Sequence, residues 1–290
     1  MAGMNTPEVP ADLRHWIDQQ ARAGVAVESM LASMHRSGWS EAQATACLET
    51  VLRDFLAVHA PAYLPAPDTV AAPGPKVWPG LDAAAERLID GHAVQVLARL
   101  RHPRAVVLGN LLTAQECTQL IELARPRVQR SRVVDPLSGG EQEHAARTSE
   151  GMCFQRGENA LCERIEQRLA LLLEYPVERG EGLQVLRYAP GAEYQPHFDY
   201  FDPAQPGMSG VLARGGQRVA TVVMYLNTPV SGGATVFPDS GFEVAAQRGN
   251  AVFFSYDAPD PATGSLHGGA PVIDGEKWIA TKWLREARHD

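Results

Sequence analysis

Two histidines and one aspartate form the clearest chemical pattern in the sequence. His197 and Asp199 lie two residues apart in an extended run, so their side chains leave the same face of a strand. His267 lies far enough along the chain to occupy a different strand. Two imidazoles and one carboxylate fill three positions on one side of an octahedral metal ion, as in non-haem Fe(II) sites. The pattern predicts a metal centre at which three positions stay open to small molecules.

The triad pattern is weak by itself, because the chain contains nine histidines in 290 residues. Two surface histidines and a turn aspartate are the alternative interpretation. The run after Gly275 adds evidence, because its alternation predicts that one strand face holds Lys277, Ile279, Thr281 and Trp283. A lysine in an apolar barrel is costly unless it meets an anion. If the His267 and Lys277 strands are antiparallel neighbours, Lys277 points into the cavity of the triad.

The elements that must position these residues follow from the apolar pattern. From Gly182 onward, short β-branched and aromatic runs are separated by turn residues; the runs are LQVLRY, EYQPHFDY, QRVATVVMYLN, ATVFP, FEVAAQ, NAVFFSY and KWIATKWL. This pattern is typical of an all-β sandwich or jelly roll. Upstream, the sequence predicts helices over 81–100, 113–124 and 158–173. Helices followed by strands indicate an α+β domain with helices on one outer face.

The chain divides into parts of different composition. Residues 1–60 predict a small module of three short helices, the last opened by a capping box of Ser40 and Gln43. Its GWSEAQATACL segment loosely resembles ubiquitin-associated modules, and the alternative is a bundle that docks on its own protein or on a partner. Six prolines indicate an extended linker over 61–80. A larger domain is expected over 81–290, with helical support over 81–182 and a jelly-roll core over 183–290.

The net charge, the cysteines and the apolar runs of the sequence argue against several classes of protein function. The net charge of −8 argues against nucleic acid or a membrane surface as a partner. The four cysteines form no C-x-x-C pair and are expected to be buried free thiols of a reducing compartment. The sequence contains no secretory signal pattern and no apolar run long enough to span a membrane. A cytoplasmic location is therefore expected.

Several spaced segments resemble one known family. They are RTSEGM at 147–152, YAPGAEYQPHFDYF, GGQRVATVVMYLNTPVSGGATVFP, GNAVFFSY and LHGGAPVIDGEKWIATKWL. In this order they resemble the catalytic domain of prolyl 4-hydroxylases, over about residues 103–290. The resemblance implies a double-stranded β-helix and an Fe(II)- and 2-oxoglutarate-dependent dioxygenase. It also implies hydroxylation of a peptidyl residue, most typically proline, with release of succinate and CO2.

The resemblance assigns roles to matching residues. The implied iron ligands are His197, Asp199 and His267. The implied partner of the distal 2-oxoglutarate carboxylate is Lys277, and further hydrogen bonds to this co-substrate would come from Tyr188 and Thr235. The implied contacts with a proline-containing peptide are Tyr194, Arg218 and Trp283. For these last three, core packing or an exposed strand-start cation is the alternative. Ascorbate is the reductant that such enzymes commonly use.

One departure and several alternatives stay open. Arg285 stands where peptide hydroxylases of this family often have a histidine, which leaves substrate recognition open. Related oxygenases that act on alkylated nucleic-acid bases have an arginine where this chain has Ile273. The same chemistry on a free amino acid or a small metabolite is a second alternative. A non-catalytic metal- and 2-oxoglutarate-binding sensor or scaffold is a third. The Gly- and Pro-rich segments 135–146 and 202–216 are interpreted as lids that close over a peptide.

Overall fold

The computed structural model describes residues 9–22, 27–63, 85–89, 91–134, 140–143 and 147–289. The chain forms two compact units, Met1–Ala71 and Ala72–Asp290. Within the described ranges, no helix has both the length and the apolar character needed to cross a membrane.

The first unit consists of helices in its described part, as its apolar periodicity predicts. They are α1 (Ala11–Arg22), α2 (Val27–Arg36) and α3 (Glu41–Tyr63). The core between them contains Ile17, Met30, Met34, Leu48 and Val51. Ser40 and Gln43 form the predicted capping box, with each side chain 3.4 Å from the other residue's backbone nitrogen. Helix α3 continues into the predicted linker, and the rest of that linker, 64–80, lies outside the described residues.

The larger unit begins with strands and two of its helices. In chain order these elements are β1 (Glu86–Ile89), β2 (His92–Leu100), β3 (Arg104–Gly109), α4 (Ala114–Ala124), β4 (Gln129–Arg130), β5 (Arg132–Val134), β6 (Glu141–Glu143), β7 (Glu150–Cys153) and α5 (Ala160–Leu173). Helices α4 and α5 match the predictions over 113–124 and 158–173. Thr113 caps α4 in a capping box with Glu116, and Asn159 caps α5.

The second half is formed mostly of strands, as predicted. In chain order its elements are β8 (Gln184–Tyr188), β9 (Tyr194–His197), the short helix α6 (Met208–Leu212), β10 (Arg218–Tyr225), β11 (Ser231–Gly232), β12 (Thr235–Phe237), β13 (Phe242–Val244), β14 (Ala251–Ser255), β15 (His267–Gly269), β16 (Val272–Asp274) and β17 (Lys277–Arg285). Short 3-10 turns connect some of these strands.

Two antiparallel sheets organise the larger unit. The large sheet has the order β1-β2-β3-β14-β10-β17-β8-β7-β4, and the small sheet has the order β13-β12-β15-β9. Strands β11 and β16 pair separately, as do β5 and β6. Neighbours such as β14-β10-β17 and β12-β15-β9 are distant in sequence, which is the connectivity of a jelly roll. The predicted fold class is therefore confirmed.

Two buried clusters separate the layers. One joins α4 and α5 to the outer face of the large sheet, through side chains such as Leu120, Ile165 and Trp278. The other fills the space between the sheets, with Tyr225 and Phe254 on the large sheet facing Phe237 on the small one. The helices thus support one face of the large sheet and leave its other face to line a cavity.

The predicted helix over 81–100 is wrong. In the described part of this range, β1 and β2 form a hairpin around Gly91, whose φ is +76°. Strand β2 also pairs with β3, and Leu97 remains 53% exposed. From Val94 to Leu100, more buried and exposed residues alternate along β2, which is the period of a strand and not of a helix. The segment 81–182 therefore contributes strands as well as helical support.

The two segments interpreted as lids stay predictions. Segment 202–216 contains α6 and packs Met208 and Val211 against Phe201. The other segment, 135–146, lies largely outside the described residues. The expectation that all the cysteines are buried needs correction. All four cysteines are free, but Cys153 is exposed whereas the others are buried.

Candidate active site: a metal centre between two sheets

The two histidines lie opposite each other on neighbouring strands of the small sheet. His267 on β15 pairs in register with His197 on β9, and their ring centroids are 4.4 Å apart. Close approach of these strands requires Gly268, because a Cβ there would lie 2.9 Å from the carbonyl oxygen of Tyr194. The local sequence HGG therefore permits the register that brings the imidazoles together.

Asp199 completes the triad directly after β9. Its Oδ1 is 3.6 Å from His197 Nε2, and its Oδ2 is 3.5 Å from His267 Nε2. The potential ligand atoms of the three residues lie within 4.8 Å of one another. The structure thus brings together the three residues that the sequence pattern selected.

Hydrogen bonds orient both imidazoles for metal binding. Nδ1 of His197 lies 2.9 Å from the carbonyl oxygen of Gln195, and Nδ1 of His267 lies 3.0 Å from that of Ser265. A carbonyl oxygen only accepts, so each Nδ1 holds the proton and each Nε2 keeps its lone pair. Both Nε2 atoms face Asp199, and this is the orientation that a metal ligand needs.

The charge states also suit a cation. Burial lowers the pKa of His267 to about 4, so its imidazole is neutral at physiological pH. Burial alone would raise the pKa of Asp199, but His267, His197 and Arg218 together hold it well below its usual range. Two imidazoles and one carboxylate form a donor set that fits Fe(II).

Lys277 enters the same cavity from the large sheet. The cavity is lined by residues of both sheets, including the triad, Lys277, Ile279, Thr281 and Trp283. The alternation predicted for β17 is confirmed, but the predicted pairing of the Lys277 strand with the His267 strand is wrong. Strand β15 pairs with β9 and β12, whereas β17 pairs with β10 and β8. Lys277 therefore faces the triad across the gap between the sheets and not from a neighbouring strand.

Lys277 has the features of an anion-binding group. Its side chain is buried, and among the described residues no carboxylate pairs with it. Desolvation lowers its pKa to about 8. The ring of Tyr188 lies below its ammonium, with 5.2 Å between Nζ and the ring centroid. Thr235 lines the same cavity and accepts a hydrogen bond from Tyr225 at 2.8 Å, which leaves the Thr235 proton available.

Of the residues expected to contact a peptide, Tyr194 and Trp283 line the same cavity as the triad. The Tyr194 ring stacks on His197 with 3.7 Å between centroids. Trp283 lines the cavity, and its buried Nε1–H has no acceptor among the described residues. Arg218 is not an exposed cation: it lies 3.9 Å from the Trp283 ring centroid and forms an ion pair with Glu181 at 2.7 Å.

Arg285 occupies a structural position beyond Trp283. It is buried, donates to Glu181 at 3.0 Å, and donates at 2.8 Å to the carbonyl oxygens of Val211 and Arg214. The arginine found in place of the family's frequent histidine thus fastens the end of α6 to the large sheet. By contrast, Ile273, which stands where base-demethylating relatives have an arginine, is 71% exposed on β16.

Several cavity residues had no role assigned from sequence. They include Arg147, Leu186, Val223 and Thr281. Arg147 belongs to the RTSEGM segment and lies 4.8 Å from the Tyr194 ring centroid, so that motif was the signal for it. The aliphatic residues follow strand alternation, but alternation alone does not say which buried face borders a cavity.

Comparison with known proteins agrees with the geometry. The profile described as the 2OG-Fe(II) oxygenase superfamily matches residues 183–285, which contain the triad and Lys277. Prolyl 4-hydroxylase 5 of Arabidopsis thaliana is 42% identical over 204 residues, covering 63% of this chain and 68% of the relative. Prolyl 4-hydroxylase 2 of the same plant is 42% identical over 207 residues, covering 63% and 67%.

One solved structure with a similar chain is the viral collagen prolyl hydroxylase from Paramecium Bursaria Chlorella virus-1 in its 2OG complex. It is 30% identical, covers 62% of this chain and 95% of its own, and has a TM-score of 0.47.

Proposed function

The chain belongs to the prolyl 4-hydroxylase-like 2OG-Fe(II) oxygenases, and from this premise we propose that it hydroxylates prolyl residues of a peptide or protein. The co-substrates are 2-oxoglutarate and dioxygen, and the products include succinate and CO2. The observation that supports this proposal best is that the triad and Lys277 line the same cavity and face each other across the gap between the two sheets.

The triad residues would hold Fe(II) through the Nε2 atoms of His197 and His267 and a carboxylate oxygen of Asp199. When bound, the iron supplies the activation of dioxygen for oxidation of a C–H bond. Three protein ligands leave room beside them for the chelating end of 2-oxoglutarate.

Lys277 would bind the distal carboxylate of 2-oxoglutarate. An ion pair in a buried site is strong and fixes orientation, which is the contribution this residue makes to the reaction. Tyr188 and Thr235 lie beside this position and would donate further hydrogen bonds. The apolar cavity walls, such as Leu186, Val223 and Ile279, keep water away from the reacting centre.

The peptide would lie over Tyr194 and Trp283, which line the same cavity as the triad. Arg218 holds the face of Trp283, and Trp283 Nε1–H is free to donate to a peptide carbonyl. A flat aromatic surface with one donor suits a proline ring and its adjoining peptide bond. Ascorbate is proposed as the reductant that restores Fe(II) after turnover without substrate, on the strength of family chemistry.

The test is anaerobic reconstitution with Fe(II) and 2-oxoglutarate, followed by visible absorbance. The wild-type chain is expected to give a weak metal-to-ligand charge-transfer band, and His197→Ala is expected to abolish it. His35→Ala is the matched control, because His35 lies in the first unit and its Nδ1 bonds the Trp39 carbonyl oxygen there. A folded, iron-loaded wild-type chain without the band would contradict the co-substrate assignment and favour a metal-binding scaffold.

Substrate class is tested next, with proline-rich peptides in air. Succinate release that depends on the peptide, together with hydroxyproline in the product by mass spectrometry, is the expected result. Succinate release that responds to free amino acids or small metabolites but to no peptide would replace the peptidyl substrate with a small one. Omission of ascorbate is expected to shorten the time course rather than abolish the first turnovers.

A further inference from the structure

A chain of two buried hydroxyls ends on the carboxylate of Asp199. Thr221 Oγ1 lies 2.7 Å from Asp199 Oδ2, and the Tyr256 hydroxyl lies 3.0 Å from Thr221 Oγ1. The exposed fractions of Asp199, Thr221 and Tyr256 are 7%, 0% and 2%. No residue role derived so far uses Thr221 or Tyr256.

The direction of the two hydrogen bonds follows from proton counting. An ionised carboxylate only accepts, so Thr221 donates its single proton to Asp199. The Thr221 oxygen then accepts from Tyr256, which is its neighbour in the chain of hydroxyls. Burial raises the pKa of Tyr256 well above its usual value, so this phenol keeps its proton. The result is a polarised row of donors that points at Oδ2.

The two hydroxyls are held by the large sheet, whereas the two histidines lie on the small sheet. Thr221 lies in the middle of β10, opposite Trp283 on β17 and Phe254 on β14. Tyr256 follows β14, and its N–H donates to the Val219 carbonyl oxygen at 3.0 Å. The two imidazoles are positioned by the small sheet, whereas the carboxylate is attached through Thr221 to the large sheet.

We propose that Thr221 and Tyr256 are positioning residues. Their hydrogen bonds occupy Oδ2 of Asp199, so that Oδ1 alone binds the metal. A carboxylate can bind a cation through one or both oxygens. Binding through both would occupy one of the positions that 2-oxoglutarate and dioxygen need. The hydroxyl row thus keeps the coordination number contributed by the protein at three. This inference rests on the proposed function and deepens it.

The test uses Co(II), which is stable in air, with the full-length chain. The Co(II) dissociation constant is measured by competition with a chelator, and visible absorption reports the coordination geometry. Thr221→Val preserves side-chain shape without the hydroxyl and is expected to weaken Co(II) binding by about 10-fold, as outer hydrogen-bond partners of metal ligands commonly do. Its visible spectrum is expected to differ in intensity from the wild-type spectrum, because a carboxylate bound through both oxygens adds a ligand atom.

Two variants separate this role from packing. Thr221→Ser restores the hydroxyl and is expected to recover affinity and spectrum to near wild-type values. Tyr256→Phe keeps the ring and removes only the far donor, so a loss of about 3-fold is expected. Ser255→Ala is the matched control, because Ser255 has a buried hydroxyl next to Tyr256 that lacks a partner in the described structure.

The outcomes are distinct for the two proposals. A wild-type chain that binds no Co(II) would contradict the proposed function, and this inference with it. A wild-type chain that binds Co(II), with Thr221→Val and Tyr256→Phe both within 2-fold of it and unchanged in spectrum, would overturn the positioning role alone. If Thr221→Val does not fold, the comparison of Tyr256→Phe with Ser255→Ala decides in the same way.

Discussion

Two lysines of one strand show how the same residue serves different purposes on opposite faces of a sheet. Lys277 and Lys282 both lie on β17, and each is only 2% exposed. Lys282 points toward the helices and pairs with Glu166 at 2.6 Å. Lys277 points into the cavity, where the described residues offer it no carboxylate. Burial lowers the pKa of both lysines, but of the two only Lys282 has a carboxylate partner among the described residues to oppose that shift.

The comparison teaches how to distinguish a structural charge from a binding one. A buried ammonium with its own counter-ion completes the fold and has no further capacity for an anion. A buried ammonium without one is costly unless a ligand supplies the missing charge. On this basis Lys277 is the lysine expected to meet 2-oxoglutarate, and the following experiments test the contrast between the two residues.

Lys282→Met is expected to give the largest effect on stability. Its removal leaves Glu166 buried without its cation, which costs about 3–5 kcal/mol of the free energy of unfolding. Urea denaturation measures the loss. The double variant Lys282→Met with Glu166→Leu is expected to recover most of it, because the orphaned charge is gone. A double variant as unstable as the single one would show that the ion pair is not the cause.

Lys277→Met is expected to affect binding and not folding. The substitution removes an unpaired buried amine, so the free energy of unfolding should stay the same or rise. Loss of one charged hydrogen bond, about 1.5–3 kcal/mol, predicts a roughly 10- to 100-fold weaker affinity for 2-oxoglutarate. Anaerobic titration of the charge-transfer band measures it, and Lys277→Arg serves as the charge-conserving control. If Lys277→Met lowered the free energy of unfolding as much as Lys282→Met does, the distinction between a binding and a structural lysine would be wrong.

The smallest effect is a pH dependence specific to Lys277. Its pKa in the free protein is about 8, so 2-oxoglutarate affinity is expected to be flat below that pH. Above it, affinity falls by up to about 10-fold per pH unit, because the neutral amine does not attract a carboxylate. Titrations of the wild-type chain and Lys277→Met over the same range check this. An identical slope in both would assign the dependence to another group.

The same shift has a consequence for the stability of the ligand-free protein. The pKa of Lys277 falls from 10.5 to about 8 on folding, so between these values the unfolded chain binds more protons. The Lys277 contribution to the free energy of unfolding therefore rises as the pH increases through this window. Lys277→Met should lack that rise in a denaturation series, whereas Lys282→Met with Glu166→Leu should retain it.

Local sequence patterns predicted elements and faces well. Alternation along β17 placed Lys277 and Trp283 on one face, and the structure confirms this. Thr113 marked the start of α4, because a cap hydrogen bond involves residues three apart. The segment 81–100 was predicted wrongly, although more buried and exposed residues alternate along β2 as in a strand, and pairing with β3 stabilises that conformation.

The candidate site shows the same limit. The types and spacing of His197, Asp199 and His267 were a weak signal by themselves, and the alternation around Lys277 and the resemblance of several spaced segments to one family were needed to select the four residues. The strand pairing expected to bring Lys277 to the cavity was wrong, since its strand pairs with β10 and β8 and not with the strand of His267. Thr221 is one hydroxyl among many in the sequence, and only its 2.7 Å contact with Asp199 distinguishes it.

The sequence by itself determined the alternation of the strands, the caps of the helices and the identity of the chemical groups. These depend on neighbours a few residues apart, so their signals are local. Tertiary structure decided which sheet supplies each group: histidines from the small sheet, and Lys277 and Thr221 from the large one. It also decided that Lys282 meets Glu166, whereas Lys277 meets no carboxylate among the described residues. The physical reason is that partner choice depends on pairing between segments distant in the chain, which short-range patterns do not encode.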